Sequence, residues 1–295
     1  MALRRFNQVD VFSSARYLGN PVAVVLDGEG LSAEEMHRFA RWTNLSETTF
    51  VLPPSRPEAD YRVRIFTSAT GTDAEAELPA ELPFAGHPTL GTCHAWRTAA
   101  DMSRADPADM SRADRVIVQE CGVGLVEIRP TADGLAFAAP PLLRSGPVEE
   151  SLVEHIAAVL AIDRAEIVDA AWADNGPGWV AVLLSSADAV LALRPGFIDL
   201  DLGVVGPYPP GSEVAFESRA FFPKAGATTE DPVTGSLNAA IAQWLLGTSR
   251  ASPPYVVSQG TAIGRAGRVH ISQDHDGTVW VGGGTITCVE GEVEL

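Results

Sequence analysis

Apolar and polar side chains alternate in FNQVDVF near the start of the chain, run together in VAVVL, and alternate again in YRVRIFT at 61–67. A period of two marks a half-buried strand, and an unbroken apolar run marks one buried on both faces. The chain therefore opens as strand, turn and strand, with SSARYLGNP as the turn. The period then lengthens. In LSAEEMHRFARW, Leu31, Met36, Phe39 and Ala40 form one stripe, and Ser32 stands three residues before Glu35. That spacing is a capping-box signature and predicts a helix ending near Thr43–Asn44. NLSETTFVLPP turns into a further strand.

RVIVQECGVGLVEIR reads as a hairpin with glycines at its turn. From about residue 131 a second unit opens, with a turn at TADG, a strand in LAFAAP and a helix in EESLVEHIAAVLA. Leu152, Ile156, Val159 and Leu160 share a face of that helix. NGPGWVAVLLSS is turn then strand, GVVGPYPPGS reads as a loop, and EVAFESRAFFP alternates as a strand. YVVSQG, RVHISQ and GTVWVGGGTITCVEGEV close the chain as strands.

Two stretches stand apart, FAGHPTLGTCHAW and EDPVTGSLNAAIAQWLL. Each has a proline and a glycine near a helix start, then an alanine- and leucine-rich body with no early charge. A surface helix carries a charged face, so both are expected to be buried. Pro88 suits the first helical position, where its missing N–H costs nothing. Strands gathered around a buried helix, twice, predict an α+β protein of two similar halves and not a regular βαβ alternation. The halves are expected at 1–130 and 131–284, with 285–295 as a candidate to rejoin the first and the active-site cleft between them. Two local duplications, AELP at 76–83 and DMSRAD at 101–114, are too short for a solenoid repeat and read as exposed loop padding.

Composition narrows the classes of partner. The 295 residues carry 21 Lys plus Arg against 38 Asp plus Glu, a formal charge of −17. Such a chain repels phosphate backbones and anionic lipid, so neither nucleic acid nor membrane is an expected partner. Cys93, Cys121 and Cys288 are odd in number and show no metal-ligand spacing, which indicates reduced thiols and no metal site. MALRRFNQVDVF lacks the apolar core of a signal peptide, and no apolar run reaches 18 residues. A soluble, cytoplasmic protein is the expectation.

The polar residues at the two helix starts are the candidates for chemistry. Exposed N–H groups and a partial positive charge there suit a carboxylate or phosphate. His87 is open to two readings, a helix cap or core hydrogen bond, and a proton-handling group. Asp231 before Pro232 suits an N-cap as well as a site. Thr234 and Ser236 follow in the same turn, and Ser236 has the alternative of donating to a carbonyl within it. Glu47, where a helix hands over to a strand, is either a solvent-facing carboxylate or a base whose pKa burial would raise. No P-loop, Rossmann pattern or GxSxG elbow is present.

GNPVAVVL, NLSETTFV, ELPFAGHPTLG, VQECGVGLVEI, EDPVTGSLNAA and SQGTAIGRAGR, in that order, resemble the phenazine-biosynthesis (PhzF-like) isomerase family across nearly the whole chain. The resemblance implies a diaminopimelate-epimerase-like fold, two pseudo-symmetric domains each with a curled, mostly antiparallel sheet around a central helix. It implies isomerisation of a small carboxylic acid without metal or cofactor, in a homodimer. Glu47 falls on the family's acid/base glutamate, His87 on its histidine, Asp231 on its aspartate and Ser236 on its serine; Gly86, Gly235 and Thr234 fall at the substrate-holding turns. Relatives of the fold that racemise amino acids use two cysteines at the helix starts, where this chain has Gly86-His87 and Asp231. An epimerase of amino or hydroxy acids and a non-catalytic binder of small acids are the competing functions. SATGTDAEAELPA and the DMSRAD loop depart from the family pattern and put the exact substrate in doubt.

Overall fold

A computed structural model of the chain describes residues 2–68, 81–102, 115–224 and 226–295. The first AELP copy and residues 103–114 of the second duplication lie outside the described residues. Contacts divide the chain into two compact units, Met1–Ala138 with Gly282–Leu295, and Ala139–Val281.

The first unit contains β1 (Leu3–Val11), β2 (Asn20–Val25), α1 (Ala33–Thr43), β3 (Glu47–Leu52), β4 (Tyr61–Thr67), β5 (Glu81–Leu82), α2 (Gly86–Met102), β6 (Ile117–Cys121), β7 (Gly124–Thr131) and β8 (Gly134–Ala138). The strand read at LAFAAP is β8, and it belongs here because it pairs with β7. The second unit contains β9 (Arg144–Pro147), α3 (Glu150–Leu160), β10 (Ile167–Asp174), β11 (Val180–Leu184), α4 (Ala187–Ala192), β12 (Leu202–Pro207), β13 (Phe216–Lys224), β14 (Ala227–Asp231), α5 (Gly235–Gly247), β15 (Tyr255–Gln259), β16 (Gly267–Gln273) and most of β17 (Val279–Gly283). β18 (Thr285–Glu294) returns to the first unit and pairs with β1.

The two units repeat one wiring. In the first, β1/β2 are antiparallel, β2/β3 parallel, β3/β4 antiparallel, β4/β6 parallel and β6/β7 antiparallel. In the second, β10/β11, β11/β12, β12/β13, β13/β15 and β15/β16 follow the same sequence of senses. An outer helix, α1 or α4, joins the second strand to the third, and the buried helix, α2 or α5, joins the fourth to the fifth. Even the short strand before each buried helix recurs, β5 on β4 and β14 on β13. This is an α+β fold of two like halves.

α2 touches β1, β2, β3, β6, β8 and β18, so the first sheet curls around it. On the other face, Met36, Phe39 and Ala40 of α1 pack with Val25, Phe50, Leu52 and Phe66. The capping box at Ser32 and Glu35 starts α1, and Asn44 ends it in the left-handed conformation. α5 is buried from Gly235 to Ala242, and it meets β10 and β16. α3 and α4 pack outside with β10, β11, Leu202, Val204 and Phe221.

Helices on both faces explain where the patterns mislead. β13 reads as alternating, yet Phe216 to Phe221 are all buried. Of its two buried charged members, Arg219 is satisfied by Glu230 and by the carbonyls of Val190 and Leu193, and Glu217 accepts from the Tyr208 hydroxyl. The GVVGP segment, read as loop, is strand β12 between β11 and β13. Gly203 is there for contact: a Cβ at this position would come within 2.3 Å of the Leu237 side chain on α5. Pro88 is the third residue of α2, not the first, still within the turn that needs no intrahelical donor. Among the described residues no helix is long and apolar enough to cross a membrane.

Candidate active site

Each unit builds one helix start, and each start gathers the polar residues singled out above. In the first unit, α2 begins at Gly86, so His87 is its second residue. Glu47 is the first residue of β3, placed by the left-handed turn at Asn44 that ends α1. β3 is tied to α2 by the Thr92 hydroxyl, which donates to the Thr49 hydroxyl at 2.8 Å. The result brings His87 Nε2 to 3.3 Å from Glu47 Oε2, with side-chain exposures of 5% and 16%.

Whether this is an ion pair is decided by burial. Desolvation pushes the His87 imidazole down to about 3, and the Pro21 carbonyl opposes it only in part. The ring is therefore neutral near pH 7. The carboxylate contact is long and lacks hydrogen-bond alignment, which fits a neutral partner. Asn20, the first residue of β2, points its Nδ2 at His87 Nδ1, 3.2 Å away. The ring nitrogen that carries the single proton follows from the orientation of the Asn20 amide, whose nitrogen donates and whose oxygen accepts. Asn20 itself is positioned by Asp10, whose Oδ2 accepts from the N–H groups of Leu18 and Gly19.

In the second unit, Asp231 ends β14, Thr234 is the N-cap of α5, and Gly235 and Ser236 are its first two residues. The N-cap is thus Thr234 and not Asp231. The Thr234 hydroxyl donates to Asp231 Oδ2 at 2.6 Å. Gln259, fully buried at the end of β15, clamps the turn. Its Oε1 accepts from the Thr234 N–H at 3.0 Å and from Asn238 Nδ2 at 2.7 Å, and its Nε2 donates to the Thr234 hydroxyl at 3.0 Å. Trp179 donates its indole N–H to Ser236 Oγ at 3.2 Å, and Asn175 Nδ2 donates to the Ser236 carbonyl at 2.9 Å.

Glu47 and His87 are thus neighbours in one unit, and Asp231, Thr234, Gly235 and Ser236 share one turn in the other. Asn20, Trp179, Asn175 and Gln259 were not singled out from sequence. GNPVAVVL and SQGTAIGRAGR carry two of them, but an Asn or a Gln next to a strand signals nothing until its partner is known. The thiols stand elsewhere. Cys93 lies within α2, fully buried, and burial pushes it up to about 12, so it is no base near neutral pH.

The phenazine biosynthesis-like protein family (PhzC-PhzF) matches this chain over residues 9–291. The chain belongs to that family. It is 35% identical to antisense-enhancing sequence 1 of Schizosaccharomyces pombe, with 99% of each chain covered. It is 32% identical to the trans-2,3-dihydro-3-hydroxyanthranilate isomerase of Pseudomonas aeruginosa, covering 99% of this chain and 100% of that one. Its fold matches the crystal structure of a PhzF-family phenazine biosynthesis protein of Bacillus anthracis with a TM-score of 0.77, at 21% identity and full coverage of both chains. This is a protein of the PhzF-like isomerase family.

Proposed function

We propose that the protein isomerises a small carboxylic acid without metal or cofactor, Glu47 removing a proton from one carbon and returning it to another. The observation that carries this reading is the Glu47–His87 pair, in which burial keeps the imidazole uncharged and leaves the carboxylate as the proton carrier. A neutral His87 beside Glu47 orients polar groups of the substrate. Asp231 takes a second orienting role, and Ser236 with the backbone N–H groups near Gly235 holds the substrate carboxylate. One carboxylate serving both removal and return suits a shift along one face, whereas inversion at a carbon calls for groups on two faces. The depth and high pKa of Cys93 support the same choice over a two-thiol racemase.

The first compound to try is trans-2,3-dihydro-3-hydroxyanthranilate, after the Pseudomonas aeruginosa relative's name. General acid/base positioning contributes roughly 10²–10⁴-fold, so Glu47→Gln is expected to lower kcat by about that factor without changing the melting curve. Near-normal turnover in that variant sinks the role. Incorporation of solvent deuterium into a bound acid separates catalysis from mere binding; no exchange across a broad panel of acids favours a binder. The working form proposed is a cytoplasmic homodimer, which light scattering of the purified protein tests.

A further inference from the structure

The loop Asp174–Trp179 joins β10 to β11. It is a built structure. Asp174 Oδ1 accepts from the N–H groups of Gly176 and Gly178 at 2.7 and 2.8 Å. Gly176 and Gly178 adopt φ of 145° and 96°, which L side chains rarely take. The loop spends two side chains on one residue, Ser236. Asn175 fixes the Ser236 carbonyl and Trp179 reaches the Ser236 hydroxyl. Trp179 is 4% exposed, Asn175 2% and Ser236 6%, so water does not stand in for either contact.

The indole N–H can only donate, so Ser236 Oγ is the acceptor in this bond. With a lone pair engaged by the indole, the hydroxyl offers its proton to another acceptor. The same arrangement occurs in the other unit. There the second residue of α2, His87, is met by Asn20 at the start of β2; here the second residue of α5, Ser236, is met by Trp179 immediately before β11. β2 and β11 hold the same place in the repeated wiring.

We infer that Trp179 is a positioning residue that sets Ser236 as a hydrogen-bond donor for an anionic oxygen of the substrate, with Asn175 fixing the backbone beneath it. The inference rests on the reading of Ser236 as a carboxylate holder.

Two measurements test it. With trans-2,3-dihydro-3-hydroxyanthranilate as substrate, Trp179→Phe removes one hydrogen bond and is expected to raise KM about threefold to tenfold, the range for a single uncharged bond, with a smaller change in kcat. The double variant Trp179→Phe/Ser236→Ala is expected to be no weaker than Ser236→Ala alone, because the indole acts through the hydroxyl. Losses that multiply, or an unchanged KM in Trp179→Phe, overturn the inference. The second measurement needs no substrate. In the ¹H–¹⁵N spectrum the Trp179 indole peak, identified by triple-resonance assignment, is expected to move and exchange faster with solvent in Ser236→Ala. An unmoved peak overturns the inference even if the isomerase reading stands. If the wild-type protein turns over no acid, the isomerase reading fails and this peak alone decides.

Discussion

His87 offers a prediction in which two physical effects oppose each other with known signs. The Glu47 carboxylate 3.3 Å from Nε2 favours the imidazolium, and burial to 4% exposure disfavours it. Burial, opposed by the Pro21 carbonyl, leaves the folded-state pKa at about 3 against 6.5 for the free side chain. The unfolded chain therefore binds the proton more readily throughout the window between those values. Stability that is fully present above pH 6.5 is lost as pH falls toward 3. At about 1.4 kcal/mol per unit, the two units between 6.5 and 4.5 correspond to about 3 kcal/mol. His87→Gln keeps a side-chain donor near Glu47 and removes the titration. Urea unfolding at pH 7.5, 6.0, 5.0 and 4.5 is expected to show the wild type losing about 3 kcal/mol relative to His87→Gln by the lowest pH. A gap independent of pH refutes the reasoning. So does an NMR titration placing the His87 Cε1–H transition above 6.5, which would mean that the carboxylate dominates.

Asp201, just before β12, carries the opposite sign: burial first, then the charge of Asp174, pushes it up to about 6. Its contribution is intact below about pH 4 and is lost as pH rises through 6, so Asp201→Asn is expected to stabilise by up to about 3 kcal/mol at pH 7.5. Matching melting curves of the variant and wild type at pH 7.5 contradict this, and at pH 4 the two are expected to coincide. Ser32→Ala breaks the capping box that starts α1 and is expected to cost about 1 kcal/mol in denaturant unfolding, with no change in KM.

Local signals were legible where the residues that cause a structure are neighbours in the chain. The Ser32/Glu35 box, the YRVRIFT strand and the apolar bodies of α2 and α5 are of this kind. β12 was not, because LGVVGP carries two glycines and a proline, and its partners β11 and β13 with the approach of Leu237 make it a strand. β13 was mistaken in pattern because a helix covers each of its faces. At the site, Glu47, His87, Asp231 and Ser236 stood out by residue type and motif. Asn20, Gln259 and Trp179 did not, since what defines them is a partner 67, 25 or 57 residues away.

The pairing of β18 with β1, from Leu3 opposite Glu294 to Val11 opposite Thr285, joins the two ends of the chain in one sheet. The second unit is one unbroken segment, Ala139–Val281. The first is closed only by Gly282–Leu295, a segment that follows the whole of the second. Without that segment β1 would have only β2 beside it, and the sheet around α2 an open edge. The unit that opens the chain is thus also the one that closes it, and loss of β18 is felt at the sheet around α2, not in the second unit.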